Sequence, residues 1–310
     1  MRFKLVALGI LIVLAGAPVG SLAQTPAALA AEGTGPYPAI YEELPSLPNH
    51  VVYRPANLSA LGRTKLPVYV WGNGACSADG TSSRNHLLEI ASHGYLVIAA
   101  GTIPKTPTPP PAPPPAPNTG AAPGGALPAA TPTSLLSDAI DWAVSESGRK
   151  DSPFYGRIAA DRIAVSGWSC GGLQALNVAP DPRVKTAVMM NTGFFNAGAS
   201  PITGIANDKA TLAKLHTPVL YVLGGPTDIA YANGMDDFRR ISGIPAAMIN
   251  IPVGHTGTYF QPNGGLAAQL VTSWLDWQLK GDQAAGRRFI GASCGYCSDT
   301  RFTLERKNLD

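Results

Sequence analysis

Short runs of β-branched, aliphatic and aromatic residues recur along this chain at 50–53, 66–70, 95–99, 162–165, 184–190, 219–223 and 247–251, each with turn residues behind it. Runs that are apolar at nearly every position predict strands buried on both faces. Between them the pattern changes to helical spacing. Helices are expected over 83–92, over 135–147 and over 266–280. The second has Thr133 or Ser134 to start it and Gly148 to end it. The third places Leu270, Val271, Trp274, Leu275 and Leu279 on one face. Strands alternating with helices predict an α/β fold with a mostly parallel sheet and helices on both faces.

The N-terminus departs from this alternation. Arg2 and Lys4 precede an apolar run, and Ser21-Leu22-Ala23 follows it with small residues suited to cleavage. This is the pattern of an export signal, expected over 1–23, and the apolar run is too short to anchor the chain stably in a membrane. Residues 24–35, rich in Ala, Thr and Gly, read as a flexible leader, and 36–310 as a single domain. A secreted or periplasmic location follows. Within the domain, 104–132 is rich in proline, which fixes φ and lacks an amide donor, so it reads as an extended insertion between a strand and the next helix.

Charge removes one class of partner. The formal net charge is +3, and loss of Arg2 and Lys4 with the signal leaves +1. A nearly neutral chain without a basic run has no electrostatic footprint for nucleic acid. The four cysteines, Cys76, Cys170, Cys294 and Cys297, are an even set in an exported chain, which suggests disulfides. A local 294–297 bridge would leave Cys76 with Cys170. Buried thiols are the alternative for that second pair.

The strongest chemical signal is Gly167-Trp168-Ser169-Cys170-Gly171-Gly172, between the 162–165 strand and a helix expected to open at Leu173. A turn this tight needs glycines, and it presents the serine hydroxyl at the carboxyl edge of the sheet, where it can act as a nucleophile. A serine nucleophile needs a base and an orienting acid, here in chain order after it. His255 directly follows the last predicted strand, whereas His216 precedes a strand and falls at the wrong end of the sheet. Asp228 follows the 219–223 strand, and Asp237, on what reads as a solvated helix face, is the alternative acid. Oxyanion donors are expected from the Cys170 amide and from the loop Trp71-Gly72-Asn73-Gly74, with Asn73 first and Gly74 second. A Cys76–Cys170 bridge would clamp both donor loops. Trp71, Trp168 and Tyr259 flank these motifs and are candidates to line a substrate pocket, with core packing as the other role open to them. No metal ligand set and no cofactor are expected.

The Gly-Trp-Ser169-Cys-Gly-Gly elbow, Asp228 and Gly254-His255 together resemble the α/β-hydrolase superfamily. The likeness runs over about 51–280. Within it, Gly254-His255-Thr256-Gly257-Thr258-Tyr259, Asn263-Gly264-Gly265 and Leu275-Asp276-Trp277-Gln278-Leu279-Lys280-Gly281 are similar to exported esterases of the dienelactone-hydrolase-like and polyester-hydrolase-like branches. Trp71-Gly72 stands where many relatives have His-Gly, and Cys170 where polyester hydrolases often carry methionine. The resemblance implies an α/β-hydrolase fold and a serine carboxylic ester hydrolase acting on small or polymer-attached esters. A peptidase or amidase on the same residues, and a non-catalytic binding protein on the same scaffold, are the competing functions.

Overall fold

The computed structural model describes residues 32–106, 127–196 and 200–309, which form one compact unit. The expected signal at 1–23, most of the leader and the centre of the Pro-rich insertion lie outside the described residues. Eleven strands occur among those described: β1 (Ala39–Leu44), β2 (Leu47–Pro55), β3 (Leu66–Gly72), β4 (Leu96–Ala100), β5 (Leu127–Pro128), β6 (Ile158–Trp168), β7 (Val184–Met190), β8 (Ile202–Thr203), β9 (Val219–Leu223), β10 (Ala246–Asn250) and β11 (Thr303–Lys307). Nine of them form one sheet in the order β1-β2-β4-β3-β6-β7-β9-β10-β11. The strands from β4 to β10 run parallel, and β1, β2 and β11 add antiparallel edges. This is the α/β-hydrolase fold.

Both faces of the sheet are covered, and alternation within single strands divides the core in two. In β3, Leu66, Val68 and Val70 face one layer with α2 (Ser134–Gly148) and α3 (Cys170–Val178). Tyr69 and Trp71 face the other layer, with α1 (Arg84–Ser92) and α5 (Gly265–Lys280). Two apolar faces explain why the central strands read as continuous hydrophobic runs. Two further helices, α4 (Tyr231–Arg240) and α6 (Gln283–Gly286), complete the set.

The described C-terminal end of the Pro-rich insertion, 127–132, is tied to the fold. β5 pairs in parallel with β8. Thr131 donates its amide and its hydroxyl to the Cys76 carbonyl, and Gln174 of α3 donates to the Thr131 carbonyl at 2.6 Å. The insertion therefore re-enters the fold beside the loop that follows β3.

Candidate active site

β6 delivers the chain to Ser169, and α3 begins at the very next residue, Cys170, three residues earlier than the motif predicts. The early start has a steric cause. Ser169 sits at φ 55° and ψ −119°, which reverses the chain within one residue. A side chain in that region costs about 1–3 kcal/mol and persists only where the surroundings hold it. Here Ser169 donates its amide to Met190 O at 3.0 Å, and its carbonyl accepts from Thr192 Oγ1 at 2.8 Å. The glycines make room for the turn. A Cβ on Gly167 would lie 2.3 Å from Gly171 backbone, and one on Gly172 2.3 Å from the Thr192 methyl.

His255 and Asp228 arrive from the carboxyl ends of β10 and β9. His255 Nε2 lies 2.9 Å from Ser169 Oγ, and His255 Nδ1 lies 2.6 Å from Asp228 Oδ1. Asp228 is buried, and its carboxylate also accepts from the Ala230 amide, the Gly224 amide and Asn191 Nδ2. Burial alone would raise this carboxyl. The His255 hydrogen bond and charge, with the two backbone amides, outweigh burial and hold it below its ordinary value. His216 is exposed and lies before β9, away from this group. Asp237 belongs to a different network and is not on a solvated face. It is wholly buried on α4, 2.6 Å from Lys209 Nζ, and accepts from the Phe194 amide at 2.7 Å.

The loop after β3 packs against the elbow backbone to backbone. A Cβ on Gly171 would lie 2.0 Å from Gly72 and 2.5 Å from the Asn73 amide nitrogen, and one on Gly74 would strike the Trp168 ring at 2.2 Å. Asn73 is buried, and its side chain donates to Ala100 O and Ser77 O, which pins the loop. Cys76 and Cys170 are joined by a disulfide, as are Cys294 and Cys297.

Beside Ser169 lies a small open cleft, lined by Leu173, Phe195, Ile202, Ile229 and Ala230 with polar Thr192 and Asn233. The three aromatic candidates are elsewhere. Trp71 and Tyr259 are wholly buried in the layer under α1 and α5, packed tilted and edge-on against His86, and neither lines the cleft. Trp168 is also buried, and its indole N–H donates to the His255 carbonyl at 2.8 Å. For Trp71 and Tyr259 the pocket role is corrected to the core role left open beside it: α1 covers the outward face of β3, and the cleft is built from the ends of β7 and β9.

Sequence reasoning missed Asn191, the residue after β7. It lies at φ 46°, buried, between Asp228 and Tyr259. Its place at the carboxyl end of a parallel strand, where α/β sheets build their sites, was the available signal. Among the described residues no group of three or more His, Cys, Asp or Glu could hold a metal.

The fold is that of the α/β-hydrolases. Residues 127–213, which include the elbow, match the protein-family model described as PET hydrolase-like. This agrees with the resemblance to the polyester-hydrolase-like branch drawn from the sequence. No curated protein matches the chain.

Proposed function

We propose that this protein is a carboxylic ester hydrolase that works through an acyl-enzyme on Ser169. The observation that carries this reading is the continuous line from Ser169 Oγ to His255 Nε2 and from His255 Nδ1 to Asp228 Oδ1. With the Nδ1 proton held by Asp228, Nε2 is free to accept the serine proton as Oγ attacks the ester carbonyl. The imidazolium that forms faces the buried carboxylate, and it then protonates the departing alcohol. Water, activated by the same imidazole, releases the acid. These steps need no metal or organic cofactor.

The tetrahedral oxyanion is received by amides. Cys170 opens α3, so its N–H belongs to the first turn that has no partner within the helix, and the helix dipole favours negative charge there. Asn73 supplies the second amide from a loop held against the elbow by packing and by the Cys76–Cys170 bridge.

The cleft supports an ester with an apolar group of moderate size. The PET hydrolase-like match supports polymer-attached esters as well as small ones. Two disulfides support an oxidising location, secreted or periplasmic. Among the described residues no helix is long and apolar enough to cross a membrane. An organophosphonate should inactivate the protein, with the adduct on the Ser169 peptide by mass spectrometry. An adduct on another residue, or none on folded protein, contradicts the assignment.

A further inference from the structure

Four donors converge on the Asp228 carboxylate. Oδ1 faces His255 Nδ1 at 2.6 Å and the Ala230 amide at 2.9 Å. Oδ2 accepts from the Gly224 amide at 2.9 Å and from Asn191 Nδ2 at 2.7 Å. The two amides come with the turn that carries Asp228. Asn191 is different, because it reaches in from β7, 37 residues away in sequence.

The same Asn191 nitrogen also donates to the Gly254 carbonyl at 3.2 Å, the residue before His255. One side-chain amide therefore ties the acid turn to the loop that carries the imidazole. Its orientation is set from the other side. The buried Tyr259 hydroxyl donates to Asn191 Oδ1, which leaves only the nitrogen to face Asp228. Tyr259 stays a donor, because burial and the nearby Asp228 charge keep its phenol protonated. The Asn191 backbone is fixed too: its amide donates to Val222 O at 2.7 Å, and it occupies the left-handed region that asparagine tolerates better than most residues.

We infer that Asn191 and Tyr259 are positioning residues for the reaction, acting in series to hold Asp228 and the His255 loop in one geometry. The inference rests on the Ser169–His255–Asp228 reading. Tyr259 is outside the cleft, and Asn191, at the cleft wall, directs its side-chain amide to Asp228, Gly254 and Tyr259 and not to Ser169 or the imidazole. Tyr259 acts through Asn191, Asn191 through the carboxylate, and the carboxylate through the imidazole. Because Tyr259 is in the His255 loop itself, the chain of contacts closes on itself, and displacement of any member shifts the imidazole relative to Ser169 Oγ.

The test is a double-mutant cycle on kcat and KM with a short-chain nitrophenyl ester, each variant checked for folding by its thermal transition. Asn191→Ala should lower kcat by roughly a hundredfold with KM within about twofold, the scale of a small misplacement of a catalytic group. Tyr259→Phe, which keeps the ring packing, should lower kcat by roughly tenfold, and in the Asn191→Ala background it should add almost nothing, as expected for groups acting in one chain. Losses that multiply in the double variant overturn the series arrangement. If Asn191→Ala does not fold, Tyr259→Phe decides alone: a wild-type kcat overturns the proposal. A Ser169→Ala control run alongside separates the two failures. Should Ser169→Ala retain full turnover, the triad reading itself falls. Should it be silent while Asn191→Ala and Tyr259→Phe turn over normally, only the positioning proposal falls.

Discussion

Cys170, the residue after Ser169, is bonded through its sulfur to Cys76 in the loop after β3, across 94 residues of sequence. The bond joins the two segments that carry the proposed oxyanion donors, the amides of Asn73 and Cys170. Replacing both residues, Cys76→Ala with Cys170→Ala, should therefore act in two ways. In the chain-entropy account, opening a loop of this length lowers stability by up to about 4–5 kcal/mol. The ester kinetics should show a larger loss in kcat than any rise in KM, because the donors bind the transition state more tightly than the substrate. Urea unfolding and steady-state kinetics on the double variant check both, and unchanged kcat contradicts the clamp.

Gly171 is the point of closest approach between the elbow and that same loop. A methyl there would sit 2.0 Å from Gly72 backbone, and neither strand nor helix can yield cheaply. Gly171→Ala should fold with a depressed thermal midpoint, by several kcal/mol equivalent, and lose most of its activity. Gly148→Ala, where a Cβ meets nothing, serves as the control and should be close to wild type.

Acid stability has a component at His86. This side chain is wholly buried among Tyr69, Trp71 and Tyr259, and burial lowers its pKa to about 3, opposed only by Glu89. The unfolded chain takes up a proton near pH 6.5 and the folded chain does not, so stability from this group falls as pH drops from about 6.5 towards 3. Denaturant unfolding of wild type and His86→Phe at pH 7 and pH 4.5 should show the wild type losing more on acidification. Parallel losses contradict the assignment.

Asp237 titrates in the opposite sense. Burial pushes its carboxyl up to about 6, against the pull of Lys209. The folded chain then holds the extra proton between about pH 4 and 6, and stability from this group declines as pH rises through that window. Asp237→Asn keeps an acceptor for the Phe194 amide and removes the titration. Relative to this variant, the wild type should lose thermal stability between pH 4.5 and pH 7.

The parallel strands and the elbow were legible because their signals are local. Strands covered on both faces are apolar throughout, and the tight turn at Ser169 demands glycines at fixed offsets. The sheet edges were not legible. β1 carries Glu42 and Glu43, and β11 reads Thr-Leu-Glu-Arg-Lys, charged as edge strands tend to be, so neither resembles a buried strand. For Trp71 and Tyr259 the choice between pocket and core was not legible for a related reason: it is decided by the packing of α1 and α5 over that side of the sheet. Asn191 draws its meaning from Asp228 and Tyr259, 37 and 68 residues away, and its place after a parallel strand marks the position without showing what it holds.

The central claim is that Ser169 is the nucleophile, and hydrolysis of a short-chain nitrophenyl ester by wild type and Ser169→Ala tests it most directly. With both proteins folded, turnover by the wild type and a loss of several orders of magnitude in Ser169→Ala is the expected result. Equal turnover by the two would contradict it and require the nucleophile to be another residue.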